Sequence, residues 1–456
     1  MAASPRPAAA NAPVPTAEQV SPADLMQFSL GDGGASRQVG AVLVLAAHPG
    51  ASVADAKRLL AERIEAIPRF RQRLLQPAHG PGLPYWAETP AFDVRAHITE
   101  VPCPPPGDDR ALFDLAAACL TVPLPADRPL WSATFVTGLT RGRTGLVIVM
   151  DHVIADGTAA LAVLGRLTDP PAAGTSAVGS PAVASPAAGS SAAGSPAPGE
   201  APGGDGTSAL LSRFRAGLTE LGGLRPPRLI AATSLNRPTG PRRRIDVVAA
   251  DLAAVREFAH EHKGTVNDVV LAAVAGALRE LLAARGEQLP EVVISVVVSA
   301  RTGAAGGELG NQVGVMPVTV PTDGELGDRA TRVAAITAER KSRTRGSSAA
   351  LLVPAFLLLA RVGLLRPFVN HQRFVNTFVT NLRGPDMPLC LGGRPVDAVI
   401  PLPLAVGNVT VTFGVLSYAG TLHVTLVSDP GRVPDAPRLA LALGRELGEL
   451  QGPRSR

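Results

Sequence analysis

Apolar residues recur along this chain in two rhythms. Residues 39–47, 131–137 and 145–150 are short runs rich in apolar and β-branched side chains, which predicts strands. Residues 53–65 and 111–119 instead space their apolar positions by three and four, which predicts helices. The run at 145–150 ends in Asp151 and His152, and helical spacing resumes at 158–167. The same alternation returns later: residues 245–248, 292–299, 313–320, 374–380, 409–417 and 421–428 read as strands, and 252–260 and 265–282 as helices. Strands and helices mixed in both halves predict an α/β fold. The architectural theme repeats although the sequence itself does not.

Between residues 169 and 207 the pattern stops. This stretch is mostly Ala, Gly, Ser and Pro, with Gly179-Ser180-Pro181 nearly repeated as Gly194-Ser195-Pro196, and it offers too little apolar area to offset the entropy of ordering. It reads as a flexible linker or surface insert. The chain therefore divides into a first half at 1–169, a linker at 170–207 and a second half at 208–456. A length of 456 residues allows two cores, since single cores stop growing near roughly 250–300 residues.

Composition narrows the function classes. Hydrophobic residues make up 46% and charged residues 18%, and 43 basic against 38 acidic side chains leave a net charge of +5. This mild excess is compatible with nucleotide phosphates, with an anionic surface, or with neither. Aromatic content is 4%, and no zinc-finger, helix-turn-helix or RNA-binding aromatic motif accompanies the charge, so nucleic acid is not an expected partner. Arg242-Arg243-Arg244 reads as a solvated linker, or as a contact for CoA phosphates or anionic lipid. Cys103, Cys119 and Cys390 have no paired spacing, so neither a disulfide framework nor a zinc site is expected, and a reducing, cytoplasmic setting fits. Residues 1–16 contain no continuous apolar core of signal-peptide type, so secretion by that route is not expected. Residues 349–360 are apolar but short and contain Pro354; they read as a buried or interfacial helix rather than a membrane span.

The sharpest chemical feature is the exit from the strand at 145–150. His152 stands there with Asp156 and Gly157 four and five residues later, an arrangement that suits a general base with an orienting group. The other reading is a polar turn in which histidine and aspartate satisfy each other or the backbone. Residues 145–151 lack the GxSxG elbow of serine hydrolases, and no cysteine has a histidine near it in sequence, so a covalent acyl-enzyme is not expected.

Further motifs stand in order around this one: Ser21-Pro22-Ala23-Asp24, Pro68 through Arg73, Phe92-Asp93 followed by His97, and Pro129-Leu130-Trp131. After it come Thr265-Val266-Asn267-Asp268, Arg301, Leu309-Gly310-Asn311 and Gly384-Pro385. The series resembles the bacterial wax ester synthase/diacylglycerol acyltransferase family. Residues 152–157 resemble the end of the HHxxxDG motif of CoA-dependent acyltransferases and condensation domains, with Asp151 where the first histidine stands. The resemblance implies an α/β protein of two chloramphenicol-acetyltransferase-like halves with a central substrate channel. It implies His152 as the base, with Asp156, Gly157 and Arg301 organising the site and Asp156 paired to Arg301 across the halves. Asp151, Trp131, Asn267, Asp268 and Asn311 are expected to line the channel or to hold structure; Asn267 and Asp268 also suit a helix cap, and Trp131 a core position. The implied reaction moves an acyl group from acyl-CoA, a donor substrate rather than a resident cofactor, to an alcohol or diacylglycerol. No metal is implied. A peripheral lipid surface, at the inner membrane face or a lipid droplet, is a further expected partner. Two readings stay beside this one: a condensation-type acyltransferase fed by a carrier-protein thioester, and a non-catalytic lipid-binding protein that keeps the fold.

Overall fold

The computed structural model describes residues 18–29, 37–76, 83–169, 229–231, 233–299, 313–343, 358–359, 362–448 and 450. The first half supplies β1 (Glu18–Gln19), β2 (Gln38–Leu45), β3 (Gln72–Leu75), β4 (Tyr85–Glu88), β5 (Ile98–Pro102), β6 (Trp131–Thr137) and β7 (Thr144–Asp151). The second supplies β8 (Arg244–Asp251), β9 (Glu291–Ser299), β10 (Val313–Pro321), β11 (Thr377–Arg383), β12 (Cys390–Leu391), β13 (Arg394–Leu402), β14 (Val411–Tyr418) and β15 (Thr421–Ser428). Two six-stranded sheets result, one ordered β12-β13-β2-β7-β6-β5 and the other β10-β9-β11-β14-β15-β8. A small sheet, β1-β4-β3, stands beside them.

Every residue of β7 is buried, because both faces of its sheet are covered. On one face Leu146, Ile148 and Met150 join Leu60 and Ile64 of the helix Val53–Glu65 and Ala159 and Val163 of the helix Gly157–Leu167. On the other, Val147 and Val149 pack with Leu112 and Ala116 of the helix Asp109–Thr121. That double burial is why the sequence there is a continuous apolar run rather than an alternation. A strand clamped in this way fixes the origin of whatever follows it.

In the second sheet the organising element is the helix Val266–Ala284. Its residues 268–278 are buried without a break, since it packs against the helices Leu326–Arg343 and Ala436–Gly448 as well as against the sheet. A helix apolar on all sides belongs inside a core.

The two halves are interlocked. β12 and β13 come from the second half but complete the first sheet, with β13 running antiparallel to β2 from Val396 opposite Leu45 to Leu402 opposite Gly40. Leu416 and Tyr418 of β14 are buried with the first half's core, and Ile245 and Val427 are buried with Val42, Leu112 and Leu402. The Tyr418 hydroxyl donates to the Val396 carbonyl at 2.8 Å and accepts the Leu389 N–H at 2.7 Å. Residues 390–402 thus serve the first sheet although they lie in the 208–456 part of the chain. The linker at 170–207 lies outside the described residues, as does most of the apolar run at 349–360. Among the described residues no helix is long and apolar enough to cross a membrane.

Candidate active site

β7 delivers Asp151 and His152 to the turn that precedes the helix Gly157–Leu167. Asp151 is buried, and its Oδ2 accepts from both Nε and Nη2 of Arg37, at 3.0 and 2.8 Å. Arg37 is buried as well, and its Nη1 donates to the Phe28 carbonyl at 3.1 Å. The other Asp151 oxygen accepts the Val153 N–H at 3.0 Å. Burying either charge alone would be expensive; paired and hydrogen-bonded, each compensates the other. The backbone extends the clamp, for the His152 N–H donates to the Arg37 carbonyl at 2.9 Å. Arg37 therefore holds the residue before His152 with its side chain and His152 itself with its main chain. His152 is partly exposed, with its Nδ1 turned inward.

Asp156 is the N-cap of the helix Gly157–Leu167. Its Oδ1 accepts the Ala159 N–H at 2.9 Å, which satisfies one of the amides that a helix start leaves open. Gly157 follows at the point where the halves meet. A Cβ there would lie 2.9 Å from Cδ1 of Leu382 on β11, so any side chain at this position requires the Leu382 side chain to shift.

The adjacent residue on β11, Asn381, donates from Nδ2 to Oδ1 of Asn267 at 3.4 Å. Successive strand side chains point to opposite faces, so Asn267 lies across β11 from Gly157. Asp268 is buried at the start of the helix Val266–Ala284, where Oδ2 accepts from the Thr265 N–H and hydroxyl at 2.8 and 2.7 Å and Oδ1 accepts from the Thr337 hydroxyl at 2.7 Å. The contacts with Thr265 are those of a helix cap, and the one from Thr337 ties this helix start to the helix Leu326–Arg343.

Trp131 is a core residue. Its indole N–H donates to the Phe70 carbonyl at 2.8 Å, and its ring stacks on His97 with centroids 4.5 Å apart. Burial pushes the His97 pKa below the usual histidine value, while its Nδ1 stands 2.9 Å from the Trp131 carbonyl. The segments Pro68 through Arg73, Phe92 through His97 and Pro129 through Trp131 thus meet in one packed cluster beside the end of β7, where Trp131 pairs with Met150. Arg301 and Asn311 lie outside the described residues.

Arg37 is the residue that sequence reasoning missed. The available signal was indirect: a carboxylate at the end of a wholly apolar strand demands a cation, and Arg37 stands just before the apolar run that pairs with that strand. Arg242, Arg243 and Arg244 prove heterogeneous. Arg244 pairs with Asp246 at 2.8 Å, and Arg243 donates to the Gly240 and Ala405 carbonyls. Among the described residues no group of three His, Cys, Asp or Glu side chains is placed to hold a metal.

Two family models match the chain. The wax ester synthase/diacylglycerol acyltransferase catalytic domain matches residues 20–270, and the WS/DGAT C-terminal domain matches residues 309–451. A Mycobacterium tuberculosis (strain ATCC 25618 / H37Rv) protein named as a diacylglycerol O-acyltransferase is 30% identical over 405 residues, covering 86% of each chain. A second protein so named from the same strain is 28% identical over 416 residues, 90% of this chain and 84% of the other. The fold is similar to that of the wax ester synthase/diacylglycerol acyltransferase from Marinobacter aquaeolei VT8, with a TM-score of 0.68, 21% identity, and 95% and 98% of the two chains covered. It is also similar to the first condensation domain of the CDA synthetase, with a TM-score of 0.60, 18% identity, and 96% and 97% covered.

Proposed function

This chain belongs to the wax ester synthase/diacylglycerol acyltransferase family, and from that premise we propose that it is an acyl-CoA-dependent O-acyltransferase that forms a neutral lipid ester, with His152 as general base. The observation that carries the reading is the anchored turn: Arg37 and Asp151 fix the end of β7, Asp156 caps the next helix, and His152 stands between two immobilised points. A base held in this way spends little free energy on finding its orientation.

The reaction needs one proton acceptor that returns its proton. His152 takes the proton of the acceptor hydroxyl as the oxygen attacks the thioester carbonyl carbon. The tetrahedral intermediate collapses, the carbon–sulfur bond breaks, and the imidazolium gives its proton to the departing thiolate, which restores neutral His152. The products are the ester and free CoA. No covalent acyl-enzyme enters this scheme. The proposed channel for donor and acceptor runs between the two sheets, beside the contact of Gly157 with Leu382. Asp156 is proposed to reach Arg301 from the second half, so that cap and interlobe pair share one carboxylate. Diacylglycerol or a long-chain alcohol is the proposed acceptor, met at a lipid surface because neither dissolves freely in water.

The test supplies purified protein with a matrix of acyl-CoAs, diacylglycerol and alcohols, and measures free CoA and ester together. Equimolar release of CoA and formation of ester supports the reading. Ester formed from a carrier-protein thioester but from no CoA donor would move the activity to the condensation type, and no ester from either donor would leave a binding protein that keeps the fold.

A further inference from the structure

The C-terminal end of the helix Val266–Ala284 opens onto a cavity of about 330 Å³. Its lining comes from three segments far apart in sequence, which contribute Ser234 and Arg237, Arg285 and Glu287, and Arg432 and Asp435. Side chains hold these segments to one another. Arg285 donates from Nε to Oδ2 of Asp435 at 3.0 Å and from Nη1 to the Ser234 hydroxyl at 2.6 Å, and the Ser234 N–H donates to Oε2 of Glu287 at 2.9 Å. Arg432 donates from Nε to the Pro238 carbonyl at 3.1 Å. The cavity is therefore shaped before any ligand arrives.

Its charge does not balance. Arg285 and Asp435 neutralise each other, and the hydrogen bond from Arg285 is the largest cause holding the Asp435 carboxyl below its ordinary value. Arg237 and Arg432 are exposed, and among the described residues neither meets a carboxylate. Arg242 reaches the same loop, its Nη2 3.9 Å from where a Cβ on Gly431 would lie. Asp429 is close by but accepts the Gly240 and Gly431 N–H groups. With Asp429 and its neighbour Arg243 included, guanidinium groups around the cavity outnumber carboxylates five to three. Pro434 is the one sizeable apolar side chain in the lining, so an acyl chain would bury little apolar area here.

We propose that this cavity binds a small phosphate monoester of a polyol. The planar fork of an arginine matches phosphate oxygens in both geometry and charge, which gives Arg237 and Arg432 a partner. The Glu287 carboxylate can only accept, so the part of the ligand beside it must donate, as a hydroxyl does. Inorganic phosphate would set an anion against Glu287, and a neutral polyol would leave the arginines unmatched. The volume stands at the lower end of the roughly 300–1,000 Å³ usual for ligand pockets, which suits a compact molecule. At about 1.5 Å per residue the helix Val266–Ala284 sets the cavity about 28 Å from Asn267, which meets Asn381 beside the Gly157 contact. A ligand there touches no reacting atom, so the proposal stands apart from the ester chemistry above.

The experiment is isothermal titration calorimetry of the full chain with glycerol 3-phosphate, ribose 5-phosphate, inorganic phosphate and glycerol, at constant ionic strength. The wild type is expected to bind at least one of the two sugar or glycerol phosphates at a single site, inorganic phosphate about tenfold more weakly, and glycerol not measurably. Arg237→Ala and Arg432→Ala, their folds checked by circular dichroism, should each bind about tenfold more weakly, the scale of a lost hydrogen bond to a charged group. Arg95→Ala is the control, since Arg95 is exposed in the first half, and it should bind like the wild type. Glu287→Gln keeps an oxygen for the Ser234 N–H and should draw the affinities for the monoester and for inorganic phosphate together. CoA at equal concentration should not displace the bound monoester. Failure of the wild type to bind either monoester, equal affinity for inorganic phosphate, undiminished binding in both arginine variants, an equal loss in Arg95→Ala, or displacement by CoA, which would assign the cavity to the acyl donor, would each overturn the proposal.

Discussion

The guanidinium of Arg37 and the carboxylate of Asp151 form a buried ion pair at 2.8 Å, 114 residues apart in sequence and next to His152 in space. In the HHxxxDG motif that residues 152–157 resemble, the position of Asp151 holds a histidine. Here an acidic residue brings its own counter-ion, and the pair anchors the turn. The departure from the motif is therefore compensated within the structure.

Breaking that pair should be costly, while removing it whole should cost less. Arg37→Met is expected to lose about 3–5 kcal/mol of stability because it leaves a buried carboxylate uncompensated. Adding Asp151→Leu should recover part of the loss, with a coupling of about 0.5–3 kcal/mol in a double-mutant cycle. Denaturant titration of the four proteins measures it. Strictly additive losses would show that the two charges do not support each other.

Asp156 separates into a cap and a charge. Asp156→Asn keeps a side-chain oxygen for the Ala159 N–H, whereas Asp156→Ala does not. The alanine variant should be less stable than the asparagine variant by about 0.5–2 kcal/mol. Thermal unfolding of both reads the difference, and equal stability would remove the cap from the account.

Gly157 should tolerate no side chain unless Leu382 yields. Gly157→Val is expected to lose about 1–3 kcal/mol through overpacking, and Leu382→Ala in the same chain should return part of it. If Gly157→Val unfolds at the wild-type denaturant concentration, the Leu382 side chain yields at no cost and the overpacking argument fails.

Acid should weaken the fold through two histidines. Burial lowers the pKa of His423, and burial is also the largest cause lowering that of His97. Both sit below the ordinary value of 6.5 in the folded state, so the unfolded chain binds more protons as pH falls. Their contribution is fully present above about pH 6.5 and is lost as pH falls towards the folded values. His423→Leu should flatten the decline in stability between about pH 7.5 and 5. An unchanged pH profile would contradict this assignment.

Much of this was legible in the sequence because the signals were local. The helix at 53–65 and the strands around 131–137 and 145–150 follow from spacing and apolar runs, and the structure places them at Val53–Glu65, Trp131–Thr137 and Thr144–Asp151. The helices Leu326–Arg343 and Ala436–Gly448 went unread, although their buried positions do recur with helical spacing. The crossing of β13 into the first sheet was not legible, since strand pairing across more than 300 residues of sequence leaves no mark on either strand alone. Arg37 was hidden for the same reason: its role depends on which strand β7 chooses as a neighbour. His152 and Asp156 stood out because their chemistry is written within one turn.

The central claim is that His152 moves the proton. His152→Ala, its fold checked by thermal unfolding, should form ester from acyl-CoA and acceptor roughly 100-fold to 10,000-fold more slowly than the wild type, the scale expected when general acid-base help is lost. Turnover in that variant within about twofold of the wild type would contradict the account.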